Sequence, residues 1–309
     1  TLFRSTDYLD LAGEVQWMRR VIDSLHDRAR YSGTRVVHAC GFDSIPSDLG
    51  VLLSQEAIVQ RHGAPASSLR LVVEERQGGV SGGTLASAMN LFDESRDPTV
   101  RALLADLHSL EPRWQPVTAP VPKRIPGVRP LYNTPPETGT APFPMEEVNV
   151  RIVHRSNALL GYPYGGEFDY RELLSFGSGA TARLKAALAR ASLTLGRRAL
   201  ENRAVREIVS SLFFPKPGEG PRIARQGGGS FRLLFYDQDH GVPVVEVSAQ
   251  RDPGYGATSI MVSESAILLA ETRAGAHSGG VLTPAVAFGT ALAPRLTEAG
   301  VSFTYLPRP

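Results

Sequence analysis

Apolar residues along this chain fall into two rhythms, and their alternation outlines an α/β fold. Val15, Met18, Ile22, Leu25 and Ala29 are spaced three and four apart in turn, which predicts a helix over residues 14–30 with one apolar stripe. Residues 34–40 (TRVVHAC) are short and β-branched, the pattern of a strand buried in a parallel sheet. Leu49, Leu52, Leu53 and Ala57 then restore helical spacing over 47–58. Residues 8–11 read as a strand end and 69–74 (LRLVVE) as a further strand. Strand, helix, strand and helix with short joins are the second half of a doubly wound sheet.

The remaining chain is more varied. Helices are predicted over 85–92 and from the cap-and-proline pair Asp97-Pro98 to about 110. Residues 111–144 hold ten prolines yet carry Trp114, Tyr132 and Phe143, so they read as an ordered excursion or lid rather than a linker. Alternation predicts a strand at 148–154, whereas 171–176 makes no convincing buried strand. An Ala/Leu/Arg-rich helical region runs over 180–214, broken near Gly196, with Arg183, Lys185, Arg190, Arg197 and Arg198 on a basic face. A hairpin joins 231–236 to 242–249. Helices at 258–271 and 284–299 and a strand at 301–305 follow.

Composition narrows the function classes. At 309 residues there is room for two domains, and 42% hydrophobic with 21% charged residues is ordinary for a globular protein. A net charge of +2 gives no reason to expect a nucleic-acid partner. Cys40 is the single cysteine, which excludes an intrachain disulfide and a thiolate metal cluster and makes a cytoplasmic setting the default. The seven histidines show no H-E-x-x-H and no i,i+4 pair, so no metal is expected. No apolar run has transmembrane length.

Candidate chemistry gathers between the predicted strand at 34–40 and the helix after it. Gly41-Phe42-Asp43-Ser44-Ile45-Pro46 is a compact loop leaving a strand's carboxyl end, where open α/β sheets bind ligands. Asp43, Ser44 and Ser47 are also suited to capping that helix, so a capped turn without chemistry is the alternative. The loop CGFDSIPSDLG resembles the signature of the saccharopine dehydrogenase-like oxidoreductases, among them the trans-acting enoyl reductases. Residues 8–14 (YLDLAGE), 79–84 (GVSGGT), 149–159 (NVRIVHRSNAL), 252–257 (DPGYGA) and 279–284 (GGVLTP) fit the same family in the same order.

The resemblance implies a partial Rossmann-type parallel sheet plus an α+β substrate and dimerisation domain with a mixed sheet. Residues 1–74 would be the remaining half of the dinucleotide-binding domain, 75–251 the substrate and dimerisation domain, and 252–309 helices returning to the first. A Rossmann enzyme places a strand and Gly-rich turn before a YLDLAGE-like segment, so the resemblance implies an N-terminally truncated chain, inactive alone and weak for NAD(P)H. It implies NADP- or NAD-dependent reduction of a lipid-like or acyl substrate, in lipid, glycolipid or polyketide biosynthesis, by a homodimer. Asp43, Ser44 and Tyr255 are the expected catalytic residues. Glu14, Cys40, Gly41 and Phe42 would meet the cofactor, and Ser81, Gly82, Gly83 and Thr84 the substrate. Asp10 could contact the nicotinamide ribose, but a solvated or capping acid is the plainer reading, and His38 reads as a core histidine.

Three other readings stay open. Gly79-Val80-Ser81-Gly82-Gly83 has the G-x-S-x-G form of serine hydrolases, with Asp237 or Asp239 and His277 as partners. Residues 177–182 imitate a dinucleotide fingerprint but lack a convincing strand before them. A non-catalytic, lipid-associated scaffold is the third, since the basic helices after Gly179 suit contact with the inner face of a membrane.

Overall fold

The structure, a computed structural model, describes residues 6–77, 90–91, 93–113, 138–201, 229–272 and 279–307. Strand β1 (Tyr8–Leu9), helix α1 (Val15–Ser32), strand β2 (Arg35–Val37) and helix α2 (Ile45–His62) follow one another with short joins. The predicted stripe is the packed face of α1: Val15, Met18, Ile22 and Ala29 are buried, and only Leu25 stays partly exposed. Val15, Met18 and Ile22 close a small core with Ile152 and Val281.

Two sheets divide the remaining strands, β3 (Ser68–Gln77), β4 (Thr138–Pro142), β5 (Asp169–Ser178), β6 (Ser230–Asp237), β7 (Val242–Ala249), β8 (Gly280–Leu282) and β9 (Ser302–Tyr305). One is a parallel sheet of three strands in the order β1-β2-β8. The other has six strands in the order β4-β5-β3-β6-β7-β9. Within it β3 and β5 are parallel, and every other neighbouring pair is antiparallel. The expected α/β class, a parallel sheet beside a mixed one, is what forms. The predicted strand at 69–74 takes its place in the larger sheet, between β5 and β6.

Helices α3 (Pro98–Ala105), α4 (Glu146–Leu159), α5 (Ala180–Glu201), α6 (Thr258–Glu271), α7 (Pro284–Phe288) and α8 (Leu292–Glu298) complete the described chain. Helix α2 occupies the centre, and every residue from Ser44 to Val51 is buried. Its Gly50 lies so near β6 that an added Cβ would sit 2.1 Å from Cζ of Phe235. Glycine is therefore required there by close approach.

Several predicted elements differ. Residues 148–154 are helical, inside α4. The alternating pattern misled because both of its phases are buried, Asn149 and Arg151 as well as Val150 and Ile152. Arg151 is accommodated by backbone carbonyls of Leu104, Asp106 and Glu147. Residues 171–176 do form a strand, within β5, because Glu172 points inward into a polar network. Helix α5 passes Gly196 without a break. The predicted helix at 284–299 is two helices separated by a tight turn at Gly289–Ala291, with Pro294 in the first turn of the second. The predicted helix at 85–92 and the excursion at 111–144 fall largely outside the described residues.

Gly50→Ala tests the central packing. Alanine favours a helix interior by about 1 kcal/mol. Because Phe235 is fully buried and cannot swing aside, overpacking outweighs that gain, and a net loss of about 1–3 kcal/mol is expected in denaturant unfolding. A variant as stable as the parent would show that α2 and β6 are not in contact at this point.

Candidate active site

The parallel register pairs Tyr8 with Val36 and Leu9 with Val37, so Asp10 and His38 leave the two strand ends side by side. His38 Nδ1 lies 2.8 Å from Asp10 Oδ2. Asp10 Oδ1 also accepts from the backbone N–H of Ala12 at 2.9 Å and of Ala39 at 3.3 Å. Burial alone would raise the pKa of Asp10. The bond and charge of His38 and the two backbone N–H groups outweigh it and hold the carboxyl below its usual range. His38 is buried beneath Trp17, their ring centroids 5.0 Å apart, and its Nε2 has no hydrogen-bond partner among the described residues.

Ala39, between His38 and Cys40, has φ +61°, a left-handed conformation that costs a non-glycine residue of order 1 kcal/mol or more. That turn lets Cys40 N–H donate to Asp10 O at 2.8 Å and starts the loop into α2. Cys40 is fully buried, and burial, with Asp10 and Asp48 nearby, pushes its thiol well up, so it stays neutral.

Gly41 and Phe42 meet the turn that carries Tyr255. Phe42 N–H donates to Thr258 Oγ1 at 3.1 Å, and that hydroxyl donates to Pro253 O at 2.9 Å. A Cβ on Gly41 would lie 2.9 Å from Leu11 Cδ2 and 3.1 Å from Thr258 Cγ2, so the loop is wedged between the segment after β1 and the start of α6. The turn is wide: Ala257 N–H reaches back five residues to Asp252 O at 2.8 Å, and buried Asp252 accepts Tyr255 N–H at 2.7 Å. Such single wide turns are frequent at functional sites. Tyr255 and Asp43 are half-buried, while Phe42 packs edge-on against Phe231. Glu14 precedes α1 and turns its carboxylate back to Gly13 N–H.

Ser44 departs from the expected cap. It stands at the N-cap of α2, but its hydroxyl donates instead to Asn149 Oδ1 at 2.8 Å. Asn149 passes the chain on to Glu172, which also accepts from Tyr170 at 2.8 Å. Burial raises Glu172 to about 7 against the opposing bonds from Ser47, Asn149 and Tyr170. Asp48, likewise buried, is raised to about 7 against bonds from Ser156, Ala285 N–H and Thr283. Sequence reading missed both carboxyls, and the Asp10–His38 pair as a unit. The available signal was a polar residue directly after each of two short apolar strands.

Five of the six sequence motifs thus touch one another here. Residues 8–14 and 252–257 flank the loop, 149–159 supplies Asn149 and Ser156, and 279–284 supplies Thr283. The sixth, with Ser81, Gly82, Gly83 and Thr84, lies outside the described residues, as does His277. The strand before residues 177–182 exists, but its neighbour β4 is antiparallel, and the helix packs its Ala182 carbonyl onto Gly139 instead of opening a crevice.

Two histidine clusters lie apart from this site. His62 and His240 stack at 3.8 Å, nearly parallel, with His240 bonded to Asp237; parallel rings do not converge on one ion. His108, Glu111 and His154 converge better. Burial, with His108, Arg171 and Arg151 around it, pushes His154 down to about 3, so its surroundings already disfavour positive charge.

Glu172 couples this network to pH. In the unfolded chain it ionises at about pH 4, so between about pH 4 and pH 7 the folded state holds the extra proton, and its contribution falls as pH rises through 7. Glu172→Gln keeps the shape and the bond accepted from Asn149, reverses the contact with Tyr170 so that the amide N–H donates to its hydroxyl, and removes the charge. Relative to the parent it should gain about 1–3 kcal/mol between about pH 5 and pH 8 in denaturant unfolding. An unchanged difference would mean that Glu172 keeps an ordinary carboxyl in the fold.

No protein-family model matches the chain. Among characterised sequences it is 39% identical over 308 residues to Rv2449c of Mycobacterium tuberculosis H37Rv, provisionally named a trans-acting enoyl reductase. It is 35% identical to the trans-acting enoyl reductase of Mycobacterium bovis BCG and 33% to that of Mycobacterium leprae. Each alignment covers 96% of this chain and 73% of the relative. At this identity and coverage, the chain belongs to the trans-acting enoyl reductase family.

Proposed function

We propose that the protein is a saccharopine dehydrogenase-like, NAD(P)H-dependent oxidoreductase that reduces an activated double bond in an acyl intermediate of lipid, glycolipid or polyketide biosynthesis. The observation that carries this reading is the convergence of residues 8–14, 40–44 and 252–258 at the carboxyl ends of two parallel strands. That is where a doubly wound sheet receives its ligand. The described residues suit the nicotinamide end of a dinucleotide. His38 Nε2 is a buried polar atom with no partner among them, and Asp10 beside it is a carboxylate held in its charged form, complementary to an oxidised nicotinamide ring. In this reading Glu14, Cys40, Gly41 and Phe42 meet the cofactor from these segments, Cys40 through its backbone because its side chain is buried. Among the described residues no glycine-rich turn joins a strand of the parallel sheet to a helix, so phosphate recognition is not assigned to any of them.

Reducing such a double bond adds a hydride at the β-carbon and a proton at the α-carbon, while negative charge gathers on the carbonyl oxygen. A bound nicotinamide supplies the hydride. The chain's own task is to orient the acyl group and place a donor at that oxygen. We assign the donor to Tyr255, whose backbone is pinned by Asp252 while its side chain stays half-exposed. Asp43 lies within the loop itself and is half-buried. Ser44, with its hydroxyl already committed to Asn149, acts by holding the loop on α2.

The test measures NADPH or NADH consumption with an α,β-unsaturated acyl thioester. It uses this chain at saturating dinucleotide and, in parallel, the 39%-identical M. tuberculosis relative. Thioester-dependent consumption is expected from the relative, and wherever this chain turns over, Tyr255→Phe lowers its rate about 10²–10⁴-fold with thermal unfolding unaltered. Absence of consumption from both proteins would overturn the reading. Full turnover in the phenylalanine variant would remove Tyr255 from it.

A further inference from the structure

Helix α5 carries apolar residues on two opposite faces, and only one of them is covered. Ala182 and Ala186 are buried, with the Ala182 carbonyl against Gly139 of β4. At 3.6 residues per turn, Leu184, Leu188, Ala191 and Leu195 fall within about 60° of one another on the far side. Leu184 and Leu188 are each 62% exposed and Leu195 64%, whereas every other large aliphatic side chain among the described residues stays at or below 46%. Arg183 and Arg190 flank this ridge on one side and Lys185 on the other, all exposed. Residues 180–200 contain no Asp or Glu.

The spacing of four, three and four would suit the same helix in a second copy of the chain. Charge decides against that occupant. Two such helices would bring basic flanks together, with Glu201 at the last position of each as its sole carboxylate, and like charges along the flanks destabilise the pair. An anionic lipid surface answers both features at once. Leucines enter the boundary between head groups and acyl chains while the flanking cations lie among the phosphates. No helix among the described residues is long and apolar enough to cross a membrane, so the helix would lie in the surface plane.

We propose that α5 is a membrane-surface helix that docks the protein on anionic phospholipid through Leu184, Leu188 and Leu195, with Arg183, Lys185 and Arg190 at the head groups. This inference rests on the helix alone and is independent of the enoyl reductase reading.

Flotation of the whole chain with vesicles tests it, using phosphatidylglycerol and phosphatidylcholine in equal parts against phosphatidylcholine alone. Each basic residue near an anionic surface strengthens binding about fivefold, so three should favour the mixed vesicles by on the order of 100-fold, less at high salt. Combining Leu184→Glu, Leu188→Glu and Leu195→Glu should abolish flotation. Should that variant unfold, combining Arg183→Ser, Lys185→Ser and Arg190→Ser gives a second test, with flotation reduced to the level on phosphatidylcholine. Equal binding to both vesicle types, or none, overturns the proposal. So does a lipid-free dimer in sedimentation that the glutamates split, since the ridge would then belong to a second copy.

Discussion

Helix α2 sits at the centre of this fold because most of its polar side chains find partners away from water. Ser44 at its N-cap and Ser47, Asp48, Ser54 and Gln55 within it are all buried, and of these only the Ser54 hydroxyl has no partner among the described residues. Asn149 and Ser156 on α4 receive Ser44 and serve Asp48. Ala285 N–H, at the start of α7, donates to Asp48 Oδ2 at 2.8 Å, so a carboxyl on one helix caps another. Gln55 pairs with both backbone groups of Ala66 just before β3. Each bond is worth about 1 kcal/mol when made, but a buried partner left without it costs about 1–3 kcal/mol. The penalty for mismatch ties the order of the surrounding elements to one helix more tightly than the bonds alone would.

This constraint also explains which parts of the fold were legible in the sequence. Helices α1 and α6 and the β6–β7 hairpin carry apolar periodicities long enough to be read and were found close to their limits, although Gln16, Arg19 and His26 of α1 and Ser265 of α6 are also buried. Around α2 the equation of polar with outside fails. Asn149, Arg151 and Glu172 face inward because α2 and its neighbours supply partners for them. A reading that sends polar residues to solvent therefore mistook α4 for a strand and passed over β5. The loop at 41–46 was legible from its glycine, its proline and its place after a strand. The bond from Ser44 to Asn149 was not, since nothing local announces a partner 105 residues away.

Asp10 and His38 show a different limit. Each taken singly has a bland reading, as a capping acid and a core histidine. Only the parallel register of β1 and β2 makes them neighbours, and only the left-handed turn at Ala39 brings a second backbone donor, after Ala12 N–H, to the same carboxylate. The energy stored in that turn is recovered in the bonds around Asp10. A strained non-glycine residue, a carboxylate held charged and a histidine nitrogen without a partner among the described residues meet at the ends of two neighbouring strands. No one of them marks a site, but together they are hard to account for as packing.

The candidate loop is thus held from two sides by groups of opposite character. On the side of the strand ends, Asp10 is kept ionised, and its hydrogen bonds retain full strength at any pH where its carboxyl remains charged. On the side of α2, Glu172 is close to half-protonated near neutrality. Removing its proton makes it a stronger acceptor for Asn149, and through Asn149 it bears on Ser44. The same ionisation destabilises the fold, because the charge it creates is sealed from water. Local bonds under the loop therefore tighten over the pH range in which global stability declines. Stability and loop order must be followed separately in this protein, since one proton moves them in opposite directions.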